Sequence, residues 1–496
     1  MTRLRFLAGA VVAIALAVAI APARAGLFTS VPMARQHPSS NQLQHLIFIV
    51  QENRSFDHFF GTFPGADGLP STPPCLPSQW YPSQCFTPYP DHNASNQGGP
   101  YMNPYQVDDI DGGKMDGYVI QREQQLGSKC APQNGMRVDP RRTVAVTMDE
   151  EGTTQNVHCI VDVMGYHTQK DLPNYWSYAQ KYVLYDHFYE SAESWSLPAH
   201  LALFSGWSAQ CTKISPPEIS SCESSLTGKT WSQATPLPYA SPQPYLWTDI
   251  TYLLYQNNVT WSAYLDGGLG GAIGPPNTAV QGIWIPLGGF ETVVQDAQTG
   301  NALGSTVTDF ITQAGNGTLP QVSWVLPNYN DSDHPQASVK KGQAYVTNLV
   351  NAVMKGPDWS TSAIFIIWDD MGGFYDHEPP PFTLDADGPG LRIPAILISP
   401  YAIGGTIDHQ ILTTDSFLKL IEDTFVGGES ICQSGRSDPR PDCRDESTQL
   451  GNLLNDFNFS QKRLDPLVLS THPMTTLIDN DEDDSQRPGP RIRRAH

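Results

Sequence analysis

Glu52 and Asn53 stand one residue behind the apolar run Leu46 to Val50, and Asp369 and Asp370 directly behind a second, Ala363 to Trp368. Runs of this length, rich in β-branched and aromatic residues, predict buried strands. In a parallel sheet the C-terminal ends of strands share one edge, and ligands bind along it. Four oxygen-rich side chains gathered there repel one another unless a cation joins them. One divalent metal ion held by Glu52, Asn53, Asp369 and Asp370 is the economical expectation. Its identity stays open: such ligands suit Mg²⁺, Ca²⁺ or Mn²⁺, and a recruited histidine would admit Zn²⁺ or iron. Either pair alone could instead be acids placed for a helix dipole.

A nucleophile is offered by SWSLPAHLALFSG, where Ser196 precedes Pro198 and an expected helix start. Backbone N–H groups and the helix dipole favour an incoming anion there. A serine hydroxyl is a poor nucleophile at neutral pH, but a cation that lowers the pKa of bound water from about 15.7 to about 7 should act on an alkoxide in the same sense. Position alone favours the plainer reading of Ser196 as a helix N-cap, so its role as nucleophile needs other support.

These blocks match a family. QENRSFDHFFG from Gln51, MDG at Met115 to Gly117, the Ser196 segment, NDSDHP around His334 and WDDMGGFYDHEPPP from Trp368 resemble the bacterial phosphoesterase family of phospholipases C and a secreted acid phosphatase. The resemblance spans about residues 43 to 428. It implies an alkaline-phosphatase-like fold, metal binding by Glu52, Asn53, Asp369 and Asp370, and Ser196 as nucleophile where phospholipase C relatives carry threonine.

Phosphoryl transfer also needs donors for the equatorial oxygens and a proton for the leaving group. His334 is one candidate, and the resemblance places a phosphate-contacting histidine there. His377 is another, because the Gly372-Gly373 turn lets it fold back towards Asp369. His200, one turn beyond Ser196, and His92 are further phosphate-binding candidates, while Asp57 and His58 are expected to brace the first loop. No histidine lies between His200 and His334, and little chain follows residue 465, whereas choline-specific phospholipases tend to have long C-terminal extensions. The substrate, a small phosphate ester or a phospholipid headgroup, is therefore open. Aromatic residues for a choline cation are available in Tyr101, Tyr105, Trp231, Tyr245, Trp247, Tyr252, Tyr255, Trp261 and Tyr264, although core packing uses such residues as often. A sulfatase-like reading lacks its C-x-P-x-R motif, and a surface protein that only binds metal or phosphate is the non-enzyme alternative.

The elements that must position these groups read as an α/β fold with a central, mostly parallel sheet. Strands are predicted at 46–50, 183–185, 362–368 and within RIPAILISPYA. Helices are predicted from Pro173, capped by Asp171, from about Pro198, and over TTDSFLKLIEDTF, with Phe417, Leu420, Ile421 and Phe425 on one face. From about Thr62 to Arg142 the chain, rich in Pro, Gly, Asn and Tyr, predicts long loops.

Arg3 and Arg5 precede an apolar run from Phe6 to Ala21, then Ala23-Arg24-Ala25. Residues 1–25 are read as a cleaved signal peptide, an uncleaved anchor being the alternative, so the protein is expected outside the cytoplasm, secreted or periplasmic. The catalytic domain is then 26–478, and 479–496 is a charged tail expected to be disordered. In an exported chain the eight cysteines predict local disulfides, Cys75 with Cys85, Cys211 with Cys222 and Cys432 with Cys443, leaving Cys130 with Cys159 as a possible fourth. Fifty acidic against 29 basic residues give a net charge of −21, which disfavours nucleic acid as a partner. Apart from residues 6–21, no stretch could cross a bilayer, so at most peripheral membrane contact is expected, and no protein partner can be inferred.

Overall fold

The computed structural model describes residues 42–132, 142–148, 153–213, 216, 218–224, 245–271, 277–385, 387–435, 438, 440–479 and 491–494. The expected signal peptide and most of the tail lie outside them. Of the tail, Arg491–Arg494 pairs antiparallel with Gln84–Thr87.

His45–Gln51 and Ser362–Trp368 lie side by side, parallel and in register, with Phe48 opposite Phe365. They are the centre of an eight-stranded sheet in the order Ser305–Thr306, Trp261–Leu265, Val322–Leu326, His45–Gln51, Ser362–Trp368, Ala395–Ile398, Val183–Tyr185, Thr406–Asp408. Only Ala395–Ile398 runs against its neighbours; the remaining pairings are parallel. A sheet covered on both faces needs apolar residues on both, which is why the two central strands are continuous apolar runs instead of alternating ones.

The side-chain period of two then assigns the layers. Phe48 and Phe365 stack at 5.6 Å and meet Phe417 of the helix Asp415–Phe425, each at 5.0 Å. On the same face Phe204 of the helix Ser196–Ser205 packs edge-on against Trp324 at 5.4 Å. Trp368, an odd number of residues from Phe365, points to the other face and meets Tyr175 of the helix Pro173–Lys181 at 5.2 Å. That helix is tied in turn to Val339–Lys355, because Gln343 Oε1 accepts the Asn174 N–H at 2.8 Å. The result is a three-layer α/β/α fold.

Three local expectations are corrected. The 196–205 helix begins at Ser196, not near Pro198, with Trp195 as its N-cap residue in extended conformation. Ser196 is therefore the first helical residue, and no side chain caps that end. Asp171 does not cap the 173–181 helix; Leu172 holds that position, and Asp171 instead accepts hydrogen bonds from Thr168, Thr476 and His92. The region after Thr62 is not all loop, since Tyr105–Ile110 and Tyr118–Leu126 are helices. All four expected disulfides are present: Cys75–Cys85, Cys130–Cys159, Cys211–Cys222 and Cys432–Cys443. Among the described residues no helix is long and apolar enough to cross a membrane.

Candidate active site

The in-register pairing that sets Gln51 against Trp368 brings the residues after them together. Asn53 turns with a φ of 57°, a left-handed conformation that asparagine tolerates better than most residues. Its backbone N–H donates to Asp369 Oδ1 at 2.8 Å. The turn after Asp370 fits only because Gly372 has no side chain: a Cβ there would lie 2.3 Å from the Asn53 carbonyl oxygen, and its φ is 62°. Asp370 Oδ1 closes this turn by accepting the Gly372 N–H at 2.9 Å.

Ser196 is delivered to the same point by the uncapped end of its helix. Its hydroxyl lies 3.1 Å from Glu52 Oε2 and 3.3 Å from Asp370 Oδ2, and accepts from Asn53 Nδ2 at 3.3 Å. One proton serves only one of those carboxylates at a time. One helical turn further on, His200 Nε2 lies 3.0 Å from Glu52 Oε1 and 3.5 Å from Asp369 Oδ2. Glu52, Asn53, Ser196, His200, Asp369 and Asp370 are all buried.

The charges in this cage do not balance. Two carboxylates about 4 Å apart repel by about 4 kcal/mol at an effective dielectric of 20, and neither Asp369 nor Asp370 has a Lys or Arg ion-pair partner among the described residues. Burial, then Asp369 and Glu190, push the Asp370 carboxyl well above the usual range. Burial pushes Asp369 upward as well, but hydrogen bonding and charge from His200, together with hydrogen bonds involving Glu52 and the Asn53 N–H, outweigh it and hold the group at about 2. Asn53 Oδ1 is buried without a hydrogen-bond partner. Ligand atoms of Glu52, His200 and Asp369 lie within 4.8 Å of one another, a spacing that can hold a metal ion. An orphaned amide oxygen beside uncompensated carboxylates and an imidazole is a donor set that fits a divalent cation.

The predicted histidines separate into different places. The loop that carries His334 runs alongside residues 52–54, since Glu52 N–H donates to the Ser332 carbonyl at 2.8 Å and Arg54 Nε to the Asp333 carbonyl at 2.7 Å, while His334 Nδ1 lies 3.0 Å from the Pro335 carbonyl. Its ring packs against Tyr329 and Trp284, with centroids 5.2 and 6.0 Å away. His200, expected at phosphate, instead touches the carboxylates. His377 does not fold back onto Asp369; its Nδ1 lies 2.7 Å from Asp57 Oδ2, in a network with Arg392 and Asp376. His92 is held by Asp171 at 2.8 Å. His58 stacks on His167 and meets the tilted ring of Phe374 in the interior.

Glu190 was not anticipated. It accepts the Leu391 N–H at 2.7 Å and a hydrogen bond from Gln106, and burial, the first cause, pushes its carboxyl well above the usual range. The sequence signal was a second carboxylate in the polar loop six positions before Ser196.

Residues 43–426 match the model of the Phosphoesterase family. Phospholipase C A of Mycobacterium tuberculosis is 26% identical over 416 residues, covering 77% of this chain and 73% of that protein. A non-hemolytic phospholipase C of Burkholderia pseudomallei is 25% identical over 491 residues, covering 87% of this chain, which spans 61% of that relative's length. A solved protein in the alkaline phosphatase superfamily from Vibrio parahaemolyticus aligns over 53% of this chain and 63% of its own, with a TM-score of 0.31 and 15% identity, too distant to bear on the site. The chain belongs to the phosphoesterase family and is an enzyme that hydrolyses phosphoric esters.

Proposed function

We propose that this chain is a metal-dependent phosphoric ester hydrolase of acid phosphatase or phospholipase C type, acting through Ser196 and a phosphoserine intermediate. The observation that carries the reading is the Ser196 hydroxyl lying within 3.3 Å of Glu52, Asn53 and Asp370 at the uncapped start of a helix. Glu52, Asn53, Asp369 and Asp370 would hold the cation, with His200 against them. When bound, it supplies the positive charge this cage lacks and favours the deprotonated hydroxyl.

Ser196 Oγ forms a bond to phosphorus as the ester P–O bond opposite it breaks, releasing an alcohol. Its proton is directed at Glu52 Oε2 and Asp370 Oδ2, the two acceptors to which it can pass. The first-turn N–H groups of the 196–205 helix face the developing negative charge, and His334 is the donor beside the leaving group. Water then cleaves the Oγ–P bond and returns Ser196. We assign His377 and His92 no part in this step, because Asp57 and Asp171 hold their Nδ1 atoms away from the Ser196 cluster.

A second reading, a phosphatidylcholine-preferring phospholipase C, is favoured by the names of the relatives. Against it, the aromatic residues available for choline are mostly interior: Tyr101, Tyr245, Trp247, Trp261 and Tyr264 are buried. Trp231 lies outside the described residues. Export is supported by the four disulfides, which persist in oxidising compartments.

Chromophore release from p-nitrophenyl phosphate and p-nitrophenyl phosphorylcholine, with and without chelator, tests this. Faster, chelator-sensitive release from the monoester is expected of a phosphatase, and the reverse of a phospholipase C. No release from either after divalent metals are restored would overturn the proposal.

A further inference from the structure

Two neighbouring strands of the sheet end in the same pair of residues. Val183–Tyr185 is followed by Asp186-His187, and Thr406–Asp408 contributes its last residue, Asp408, to Asp408-His409. The strands are parallel partners, Tyr185 opposite Asp408, so both pairs leave the sheet together. Backbone bonds fix the exits: Asp186 N–H donates to the Asp408 carbonyl at 3.2 Å and Leu412 N–H to the His187 carbonyl at 3.0 Å.

The side chains converge. His409 Nδ1 lies 2.9 Å from both oxygens of the buried Asp186 carboxylate, and His187 Nδ1 lies 3.6 Å from Asp186 Oδ1. Ligand atoms of Asp186, His187 and His409 all fall within 4.8 Å of one another. The far nitrogen of His187, Nε2, is 3.1 Å from Asp67 Oδ2, while the Asp67 N–H donates to Asp186 Oδ2 at 2.8 Å. Both nitrogens of His187 thus face only acceptors, Nδ1 also meeting the His409 carbonyl at 3.2 Å. A neutral imidazole has one N–H, so one of its lone pairs is directed at oxygen unless a proton or a cation sits there.

We propose that Asp186, His187 and His409 bind one transition-metal dication of the zinc class at a site separate from the Glu52 cage. The set is two imidazoles and a carboxylate, ligands that suit such ions. Asp67 acts from behind, taking the His187 Nε2–H and so turning Nδ1 towards the ion, as carboxylates behind ligating histidines do. The His409 side chain is 58% exposed, which gives the ion an entry path and leaves water its remaining positions. Two to three strand spacings of about 4.8 Å separate these strands from Ser362–Trp368, so the ion would lie about 10 to 15 Å along the same sheet edge from Asp369. Its effect is mechanical, joining the ends of two strands to the Asp67 loop.

The test is zinc stoichiometry, by equilibrium dialysis of the metal-stripped full chain followed by elemental analysis. His409→Ala, a change at an exposed side chain, is expected to bind one zinc ion fewer than the wild type while keeping its circular dichroism spectrum. Asp67→Asn is expected to weaken the same site about tenfold, and His472→Ala, at an exposed histidine outside the cluster, to change nothing. Zinc should raise the melting temperature of the wild type more than that of His409→Ala. Equal stoichiometry in wild type and His409→Ala, or an equal loss in His472→Ala, would overturn the proposal.

Discussion

Two buried clusters of carboxylate and imidazole lie at opposite ends of the stretch from Glu52 to Asp57, and they are balanced differently. In the first, Glu52, Asp369 and Asp370 surround Ser196 with His200 beside them, and the amide oxygen of Asn53 has no partner. In the second, Asp57 and Asp376 share Arg392, whose Nη2 is 3.4 Å from Asp57 Oδ1 and 2.9 Å from Asp376 Oδ1, and His377 closes the network. Burial and Asp376 push Asp57 up to about 6, while His377 and Arg392 pull it back. His377 rises to about 9 against its burial because Asp57 and Asp376 face it. A cluster that contains its own guanidinium is complete as a structural tie. One that gathers carboxylates around a hydroxyl without such a cation has a donor set that fits one, and it is there that we place the proposed chemistry.

Four changes break or sharpen this contrast. Ser196→Ala should lower phosphoric ester hydrolysis at least about 10³-fold in kcat with little change in melting temperature, as expected for loss of a nucleophile. Arg392→Met should act in the opposite way, leaving buried Asp376 without its cation and Asp57 with His377 alone, and removing about 3–5 kcal/mol of stability in chemical denaturation. Gly372→Ala should do some of both. Its Cβ would sit 2.3 Å from the Asn53 carbonyl, at a φ of 62°. About 1–3 kcal/mol of stability and a roughly tenfold loss of activity are expected as Asp369 and Asp370 shift.

The smallest effect is a pH dependence. The folded pKa of His377, about 9, exceeds its ordinary value of 6.5. The folded state therefore holds a proton that the unfolded chain has released between those values. This contribution to stability is complete below about pH 6.5 and is lost as pH rises through about 9. His377→Gln should flatten the fall in unfolding free energy between pH 6.5 and 9, measured by denaturant titration; an unchanged slope would remove His377 from the network.

The same contrast shows what could be read from residues alone. The central strands were legible because they are long apolar runs, and their acidic ends because strand polarity in a parallel sheet leaves few places to put them. Local cysteine spacing suggested three of the disulfides, and Cys130–Cys159, 29 residues apart, was only what remained. The reversed direction of Ala395–Ile398 was not legible, since an apolar run has no direction. His377 was misplaced for a related reason: the Gly372-Gly373 turn permits a fold-back, but the choice between Asp369 and Asp57 depends on Arg392, whose position comes from tertiary packing. His200 lay one turn from Ser196 in sequence, yet its contact with Glu52 needed the helix to start at Ser196, two residues before the Pro198 that suggested a start. Asp57 was legible as a brace of the first loop, whereas Glu190 is one carboxylate among many in an acidic chain, and only burial and partners distinguish it.

The central claim, that Ser196 in the carboxylate cage carries the phosphoryl group, is tested most directly by acid-quenching the enzyme during turnover of p-nitrophenyl phosphate and mapping phosphopeptides by mass spectrometry. The account predicts phosphate on the peptide containing Ser196 and none in Ser196→Ala. Turnover retained in Ser196→Ala, with no phosphorylated Ser196 peptide from the active wild type, would contradict it.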